Sequence, residues 1–451
     1  MSLARWLGTH FALRQPAQYV VAGFVVASLF GALLLFLPAA SQGGGTTSFL
    51  TALFTATSAV CVTGLVVVDT AGHWSTFGEV VILALIQMGG FGIMSLTSII
   101  VLVMSRRLGL RHRLVAAAET GSLDTGDVRR VLFGIVKLSV GVEVVVAAAL
   151  FLRFWLAHGY APGRAAYLGL FHSVSAFNNA GFGLFPDSLT RYATDPFLLM
   201  VIALTVIVGG LGYPVLVQVA RRSHSAHRWN VHAKLTLATT ALLLLVGWAG
   251  FAWFEWTNPE TLGPLSVGDS ASNAFFHSVV PRTAGFNSID VAEIREPSRL
   301  LTEILMIIGG GSGSTAGGMK VTTFALLACV MWAEVRGQRD VVAFERRIPT
   351  AAQRQALTVA LLAVGVVVAA TLALLAITSL PRTDVLFEVI SALGTVGLST
   401  GITPLLSAPA QLLLAVLMIL GRVGPPTLFA ALVLRERERP YRYPEERPII
   451  G

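Results

Sequence analysis

Eight long apolar runs recur along the 451-residue chain: Ala17–Leu37, Val80–Met104, Val131–Leu156, Phe197–Ala220, Leu235–Trp256, Leu300–Trp332, Ala356–Leu380 and Gln411–Leu434. Each is near or beyond the ~20 residues that a helix needs to cross a hydrocarbon core of ~30 Å. In lipid only helices and closed barrels satisfy every backbone polar group, and runs this long and continuous are helical ones. Composition agrees, since 55% of residues are hydrophobic and 12% charged, where soluble chains carry about 25% charge. A soluble enzyme or a disordered chain is thereby excluded. Two cysteines, Cys61 and Cys329, make neither a disulfide framework nor a Cys-rich metal site.

Shorter apolar stretches lie between runs one and two, three and four, five and six, and seven and eight: Phe49–Leu65, Ala165–Phe182, Ala271–Phe286 and Asp384–Leu398. None is long enough to span, so they suit half-helices that enter and leave on one side. The formal charge of +8 could suggest nucleic acid, but the bases follow topology. Of 32, 22 lie before run one and after runs two, four, six and eight, in clusters such as Arg106-Arg107, Arg221-Arg222, Arg346-Arg347 and Arg435/Arg437/Arg439. The positive-inside rule then puts both termini in the cytoplasm of a prokaryotic plasma (inner) membrane, with no nucleic-acid partner and lipid around the chain. Ala17–Leu37 is also longer than the ~7–15-residue apolar core of a signal peptide, so it reads as a retained helix.

The short stretches align without gaps on Gly64, Gly181, Gly285 and Gly397, and each has a phenylalanine ten residues earlier: Phe54, Phe171, Phe275 and Phe387. A second glycine landmark opens the next run: Gly89-Gly90, Gly209-Gly210, Gly309-Gly310, and Gly421 with Gly424. Glycine is common here, at 44 residues, but its abundance does not place four phenylalanines in register. The expected fold is an all-α integral membrane protein of four parallel helix–pore helix–helix repeats, eight transmembrane helices around a central pore. The expected units are 1–113, 114–230, 231–347 with an intramembrane loop, and 348–451 with the C-terminal tail.

A half-helix ending at mid-membrane aims its carbonyl end inward, with roughly half a negative charge. Four such ends on one axis attract a cation. Glycine then lets the following backbone turn its carbonyls to the axis with no side chain in the way. The candidate ion-binding residues are Val62-Thr63-Gly64, Asn179-Ala180-Gly181, Thr283-Ala284-Gly285 and Thr395-Val396-Gly397. These loops carry no acidic side chain, so backbone oxygens would replace the ion's water. That suits K⁺ better than Ca²⁺ or Mg²⁺, which prefer carboxylates or retained water. The expected metal is therefore K⁺ at the filter carbonyls, as cargo, with no covalently bound cofactor.

These glycine-centred repeats, above all Arg282-Thr283-Ala284-Gly285-Phe286-Asn287 and Thr395-Val396-Gly397-Leu398-Ser399, resemble the Trk/Ktr/HKT superfamily of potassium transporters. Eight spans and this length look most like the Ktr-type pore-forming membrane subunit (KtrB-like). The resemblance implies ion flow down the electrochemical gradient, a homodimer with a pore in each subunit, and a cytoplasmic nucleotide-binding ring of the RCK type (KtrA-like). It also implies stimulation by Na⁺, as in many Ktr systems. Some HKT members replace the first filter glycine by serine and conduct Na⁺; Gly64 here favours K⁺.

Leu300–Trp332 would be about 50 Å long as one straight helix. Its centre, Gly309-Gly310-Gly311-Ser312-Gly313-Ser314-Thr315-Ala316-Gly317-Gly318, disfavours helix, so a loop at membrane depth is expected below the third filter. In the family the matching segment is an intramembrane gate; a passive kink is the alternative. Arg422 interrupts the last run, and the resemblance makes it a barrier and latch for that loop, the alternative being a tie to backbone carbonyls. The same glycines approach dinucleotide- and phosphate-loop patterns, but these need a soluble βαβ context. Glu143, inside the third run, has no evident partner, and His172 and His277 fit hydrogen-bonding roles better than metal ligation. No catalytic constellation is present, so no enzyme is expected. Two rivals stay open: a Na⁺-permeable HKT-like pathway, and an alternating-access carrier coupled to H⁺ or Na⁺.

Overall fold

The computed structural model describes residues 16–107, 128–221 and 226–424. In the first unit these form α1 (Pro16–Phe36), α2 (Phe49–Val60), a single turn α3 (Thr70–His73) and α4 (Thr76–Arg107). The second contains α5 (Val128–Leu156), α6 (Pro162–Phe177), α7 (Pro196–Leu211) and α8 (Tyr213–Arg221). The third contains α9 (Val231–Glu255), α10 (Val267–Val279), α11 (Glu296–Ile307) and α12 (Val321–Val335). The fourth contains α13 (Thr350–Ile377), α14 (Arg382–Gly394) and α15 (Ala408–Val423). A two-residue antiparallel pair, β1 (Val342–Ala343) with β2 (Arg346–Arg347), joins α12 to α13, so the description all-α needs that small correction.

Helices α1, α5, α9 and α13 are each long and apolar enough to cross a membrane. Their valines, leucines and phenylalanines are exposed along one side, among them Val26, Leu33, Val145, Leu245 and Leu361. Lipid is the solvent that makes such surfaces favourable. The short helices α2, α6, α10 and α14 lie at the four stretches expected as half-helices. Their starts are written locally: Ser48 accepts from the Thr51 N–H and Ser266 from the Asp269 N–H, satisfying donors that a helix leaves free. Pro162 opens α6, where a missing N–H costs nothing.

One expected span is different. The run Phe197–Ala220 breaks at Gly212, and α7 and α8 meet at 97°. Gly212 has φ +90°, outside any right-handed helix, and Pro214 behind it has no N–H to donate back to the Gly210 carbonyl across the break. Taken together the two helices are still long and apolar enough to be one span. The sixth run is also divided, with α11 and α12 separated by residues 308–320.

The order of packing closes on itself. Each half-helix lies against the long helix before it: α2 on α1, α6 on α5, α10 on α9 and α14 on α13. The helix after each half-helix also contacts the next unit's half-helix: α4 touches α6, α7 touches α10, α11 touches α14, and α15 returns to α2. Four similar units thus form a ring with the half-helix ends at its centre.

Candidate ion-binding site

All four half-helices end in the same backbone turn. The residue two before the landmark glycine takes positive φ in each: Val62 55°, Asn179 58°, Thr283 70° and Thr395 50°. The glycines follow at 94°, 71°, 68° and 94°. Valine and threonine are poor left-handed residues, so the surrounding structure must impose this conformation. Three turns share one closure: the N–H groups of Thr63, Ala180 and Val396 donate to the carbonyls of Ser58, Ser175 and Ser391, each at 2.8 Å. The serine lies six residues before the glycine every time, a regularity the glycine–phenylalanine pattern passed over. Two of its hydroxyls accept the filter glycine's N–H, Ser58 from Gly64 at 3.0 Å and Ser391 from Gly397 at 3.1 Å. Ser175 instead donates to the Phe182 carbonyl at 2.7 Å. In the third turn Val279 occupies that position, and Ala284 closes on Val280 at 2.9 Å.

The four glycines meet. A Cβ on Gly64 would lie 2.5 Å from the Ala180 carbonyl oxygen, one on Gly181 2.8 Å from that of Ala284, and one on Gly285 2.5 Å from that of Val396. A Cβ on Gly397 would overlap the Thr63 carbonyl oxygen. Each glycine therefore abuts the carbonyl just before the next glycine, in the cyclic order 64, 181, 285, 397. The second landmark has the same kind of cause. A Cβ on Gly89, Gly209 or Gly421 would overlap the carbonyl of Val60, Phe177 or Leu393, the residue four before each filter glycine. Bare backbone is what lets the following helix close on the half-helix's carbonyl end.

Residues 308–320 lie against the ends of the second and fourth of these short helices. Gly309 N–H donates to the Met319 carbonyl at 2.8 Å and Val321 to Gly310 at 3.0 Å, which pinches the loop at its base. Gly311 and Thr315 donate to the Gly210 and Gly209 carbonyls at 2.8 and 3.3 Å, and Tyr213, just past the α7–α8 break, donates to Gly313 at 3.3 Å. The Thr315 hydroxyl reaches filter residue Asn179 at its Oδ1, 3.0 Å away. A Cβ on Gly317 would overlap the Thr395 hydroxyl. Ser314 folds its hydroxyl back on the Gly311 carbonyl at 2.6 Å, Ser312 pairs with Thr322 at 3.2 Å, and Ala316 and Gly318 are enclosed with them. Lys320 Nζ caps the Ala316 carbonyl at 2.6 Å. Arg422 ties the assembly together, donating to the Thr315 carbonyl and, at 2.9 Å, to the Gly89 carbonyl.

The sequence matches the TrkH family of cation transport proteins over residues 2–440. It is 40% identical over 442 residues to the potassium/sodium uptake protein NtpJ of Enterococcus hirae, covering 97% of each chain. It is 39% identical over 438 residues to Ktr system potassium uptake protein B of Vibrio alginolyticus, covering 96% of this chain and 94% of that one. Over 436 residues it is 37% identical to the Bacillus subtilis protein of the same name, covering 97% of both. The chain belongs to the TrkH family. The crystal structure of the potassium transporter TrkH from Vibrio parahaemolyticus has a similar fold, with TM-score 0.73 at 20% identity over 94% of this chain and 86% of that one. Family membership makes this an integral membrane transporter and not an enzyme.

Within this TrkH-family chain several of the remaining polar residues find partners. His172 Nδ1 lies 2.8 Å from the Leu168 carbonyl, and His277 packs edge-on against Phe251 with its Nε2 3.4 Å from the Thr302 hydroxyl. Arg282, which opens the third motif, is buried behind the third turn beside Thr240. Several acids between the long helices are held in ion pairs. Asp187 pairs with Arg191 at 2.6 Å, Asp195 with Arg153 at 2.9 Å and His158 at 2.8 Å, and Asp384 with Arg299 at 3.1 Å. At Asp195 burial pushes the carboxyl up, but hydrogen bonds from Arg153, His158 and the Leu198 N–H outweigh it and hold the group below the ordinary aspartate range. The basic residues 108–127, 222 and 435–447 and the Tyr441–Pro444 tail lie outside the described residues.

Proposed function

We propose that this chain takes up K⁺ across the plasma membrane through a channel-like pore at the centre of the ring. The observation that carries this reading is the cyclic contact of Gly64, Gly181, Gly285 and Gly397, each against its neighbour's carbonyl. Such a centre offers dipoles and no fixed charge, which suits a dehydrated monovalent ion. The Thr283 and Thr395 hydroxyls and the Asn179 Nδ2, one residue layer below, are buried and without a hydrogen-bond partner among the described residues. They are free to face an ion leaving the filter. Relatives whose names specify potassium uptake support the choice of ion. The membrane potential drives the flow, at ~2.3 kcal/mol per charge per 100 mV.

In this reading the ion-binding residues are the twelve of the four turns, in four repeats with eight spans and both termini in the cytoplasm. Residues 309–318 form the gate, and Arg422 is its latch. A homodimer docked on a cytoplasmic nucleotide-binding ring sets the gate's position through the basic cytoplasmic segments. Na⁺ stimulates transport. Growth rescue of a K⁺-uptake-deficient strain at limiting K⁺, with and without a co-expressed regulatory subunit, tests the reading. Rescue by the pair is expected; failure of both combinations, with the protein present in the membrane, contradicts it.

One finding favours a second reading, a Na⁺-permeable pathway: the relative at 40% identity is named a potassium/sodium uptake protein. Competition of Na⁺ against ⁸⁶Rb⁺ uptake separates the two.

A further inference from the structure

Position three before the filter glycine differs in every repeat: Cys61, Asn178, Arg282 and Gly394. In the second it carries an amide held by a buried carboxylate. Glu143, on α5, is 6% exposed, deep among helices. Its Oε1 and Oε2 accept from Gln87 Nε2 on α4 at 3.0 and 3.1 Å, and Oε1 also accepts from Asn178 Nδ2 at 3.3 Å. The same Asn178 nitrogen lies 2.8 Å from Gln87 Oε1 and 2.9 Å from the Val174 carbonyl. Ser173 anchors the α5 backbone to the half-helix by donating to the Glu143 carbonyl at 2.6 Å. Gly90 leaves the space that Asn178 Oδ1 fills, since a Cβ there would overlap it. Residues from α4, α5 and the end of α6 thus converge behind one filter strand. The corresponding Arg282 has, among the described residues, one side-chain hydrogen bond, to Thr240 at 3.3 Å.

We propose that Glu143, with Gln87, is a positioning residue for ion selectivity: the pair clamps the second filter strand from behind through Asn178. The next residue, Asn179, is held from below by Thr315 of the 308–320 loop. Two adjacent residues of one strand therefore have two different holds, and only the lower one belongs to the moving part. When the loop withdraws to pass an ion, Asn179 loses its partner, and the clamp joins the Ser175 closure in keeping the strand's carbonyls in register. A filter that selects by carbonyl geometry loses discrimination when one of its four strands can shift. This inference rests on the proposed K⁺ pathway.

The test measures ⁸⁶Rb⁺ uptake and its inhibition by K⁺ and by Na⁺ for wild type, Glu143→Ala, Glu143→Gln and Gln87→Ala, each with membrane abundance matched. Losing a hydrogen bond to a charged group, worth about 1.4 kcal/mol or more, corresponds to about a tenfold change, so Glu143→Ala should lower the K⁺-over-Na⁺ preference about tenfold. Glu143→Gln keeps one acceptor oxygen and should restore most of the preference; Gln87→Ala should fall between. A preference equal to wild type in Glu143→Ala and Gln87→Ala, or a loss of maximal rate with the preference intact, overturns the clamp. If Glu143→Ala does not reach the membrane, Gln87→Ala and Glu143→Gln decide by the same ratio. Wild type that takes up no Rb⁺ overturns the K⁺ pathway itself, and the two failures are thereby told apart.

Discussion

At each of the four turns the backbone enters the left-handed region twice, at the glycine and two residues before it. At Gly64 both requirements bear on one atom, since φ is +94° and a Cβ would sit 2.5 Å from the Ala180 carbonyl. Gly64→Ser should therefore push the first and second strands apart and lower K⁺-over-Na⁺ preference by about tenfold or more, read in Rb⁺ competition assays. Arg422 makes a second residue-scale case. Its guanidinium holds the Thr315 carbonyl of the loop and the Gly89 carbonyl of α4. Removing a charge-assisted bond worth about 1.5–3 kcal/mol should release the loop, so Arg422→Ala raises K⁺ flux about tenfold and weakens its dependence on the regulatory subunit. Unchanged flux and regulation would leave Arg422 a passive tie. The glycines were legible in the sequence because they repeat in register. Their left-handed partners Val62, Thr283 and Thr395 were not, because β-branched residues carry no local signal for that conformation. Glu143 looked solitary because Gln87 and Asn178 come from other elements, 56 and 35 residues away in sequence.

Among the elements, the broken pair α7–α8 and the loop between α11 and α12 act on each other. Gly212 lies where a Cβ would come 3.0 Å from the Ser312 carbonyl and from the Ser314 amide, with φ of +90°. Gly212→Ala should cost about 1–2 kcal/mol in backbone strain and crowd the loop at the same time. The expected outcome is a lower melting temperature together with altered gating; normal melting and normal flux would show that the break is not coupled to the loop. Helix-to-helix contact is equally exacting at Gly421, whose Cβ would overlap the Leu393 carbonyl. Gly421→Ala should destabilise the protein by about 1–3 kcal/mol through overpacking, visible as reduced thermal stability in detergent. The loop itself was readable from ten residues dominated by glycine. The break at Gly212 was not read, although Gly212-Tyr213-Pro214 is a strong local signal, because the apolar run around it has the length and composition of an unbroken span.

Across the whole molecule, the ring is built from differences as much as from likeness. Three turns share the serine closure and the third does not; one strand carries the Glu143 clamp; one unit supplies the loop. A pathway surrounded by unequal strands can be blocked from one side by one loop, which a strictly symmetric pore would not allow. The fourfold recurrence of a short helix ending in a glycine turn was legible because the apolar runs and their glycines repeat in the same order. Which unit touches which was not, because the return of α15 to α2 joins the two ends of the chain. We propose that the space enclosed by Gly64, Gly181, Gly285 and Gly397 holds a dehydrated K⁺. Crystals of the protein grown in Tl⁺ in place of K⁺ test it most directly. An anomalous peak on the axis of those four glycines, diminished when K⁺ is added back, is the predicted result; an anomalous map flat at that centre, with Tl⁺ bound elsewhere in the same crystal, would contradict it.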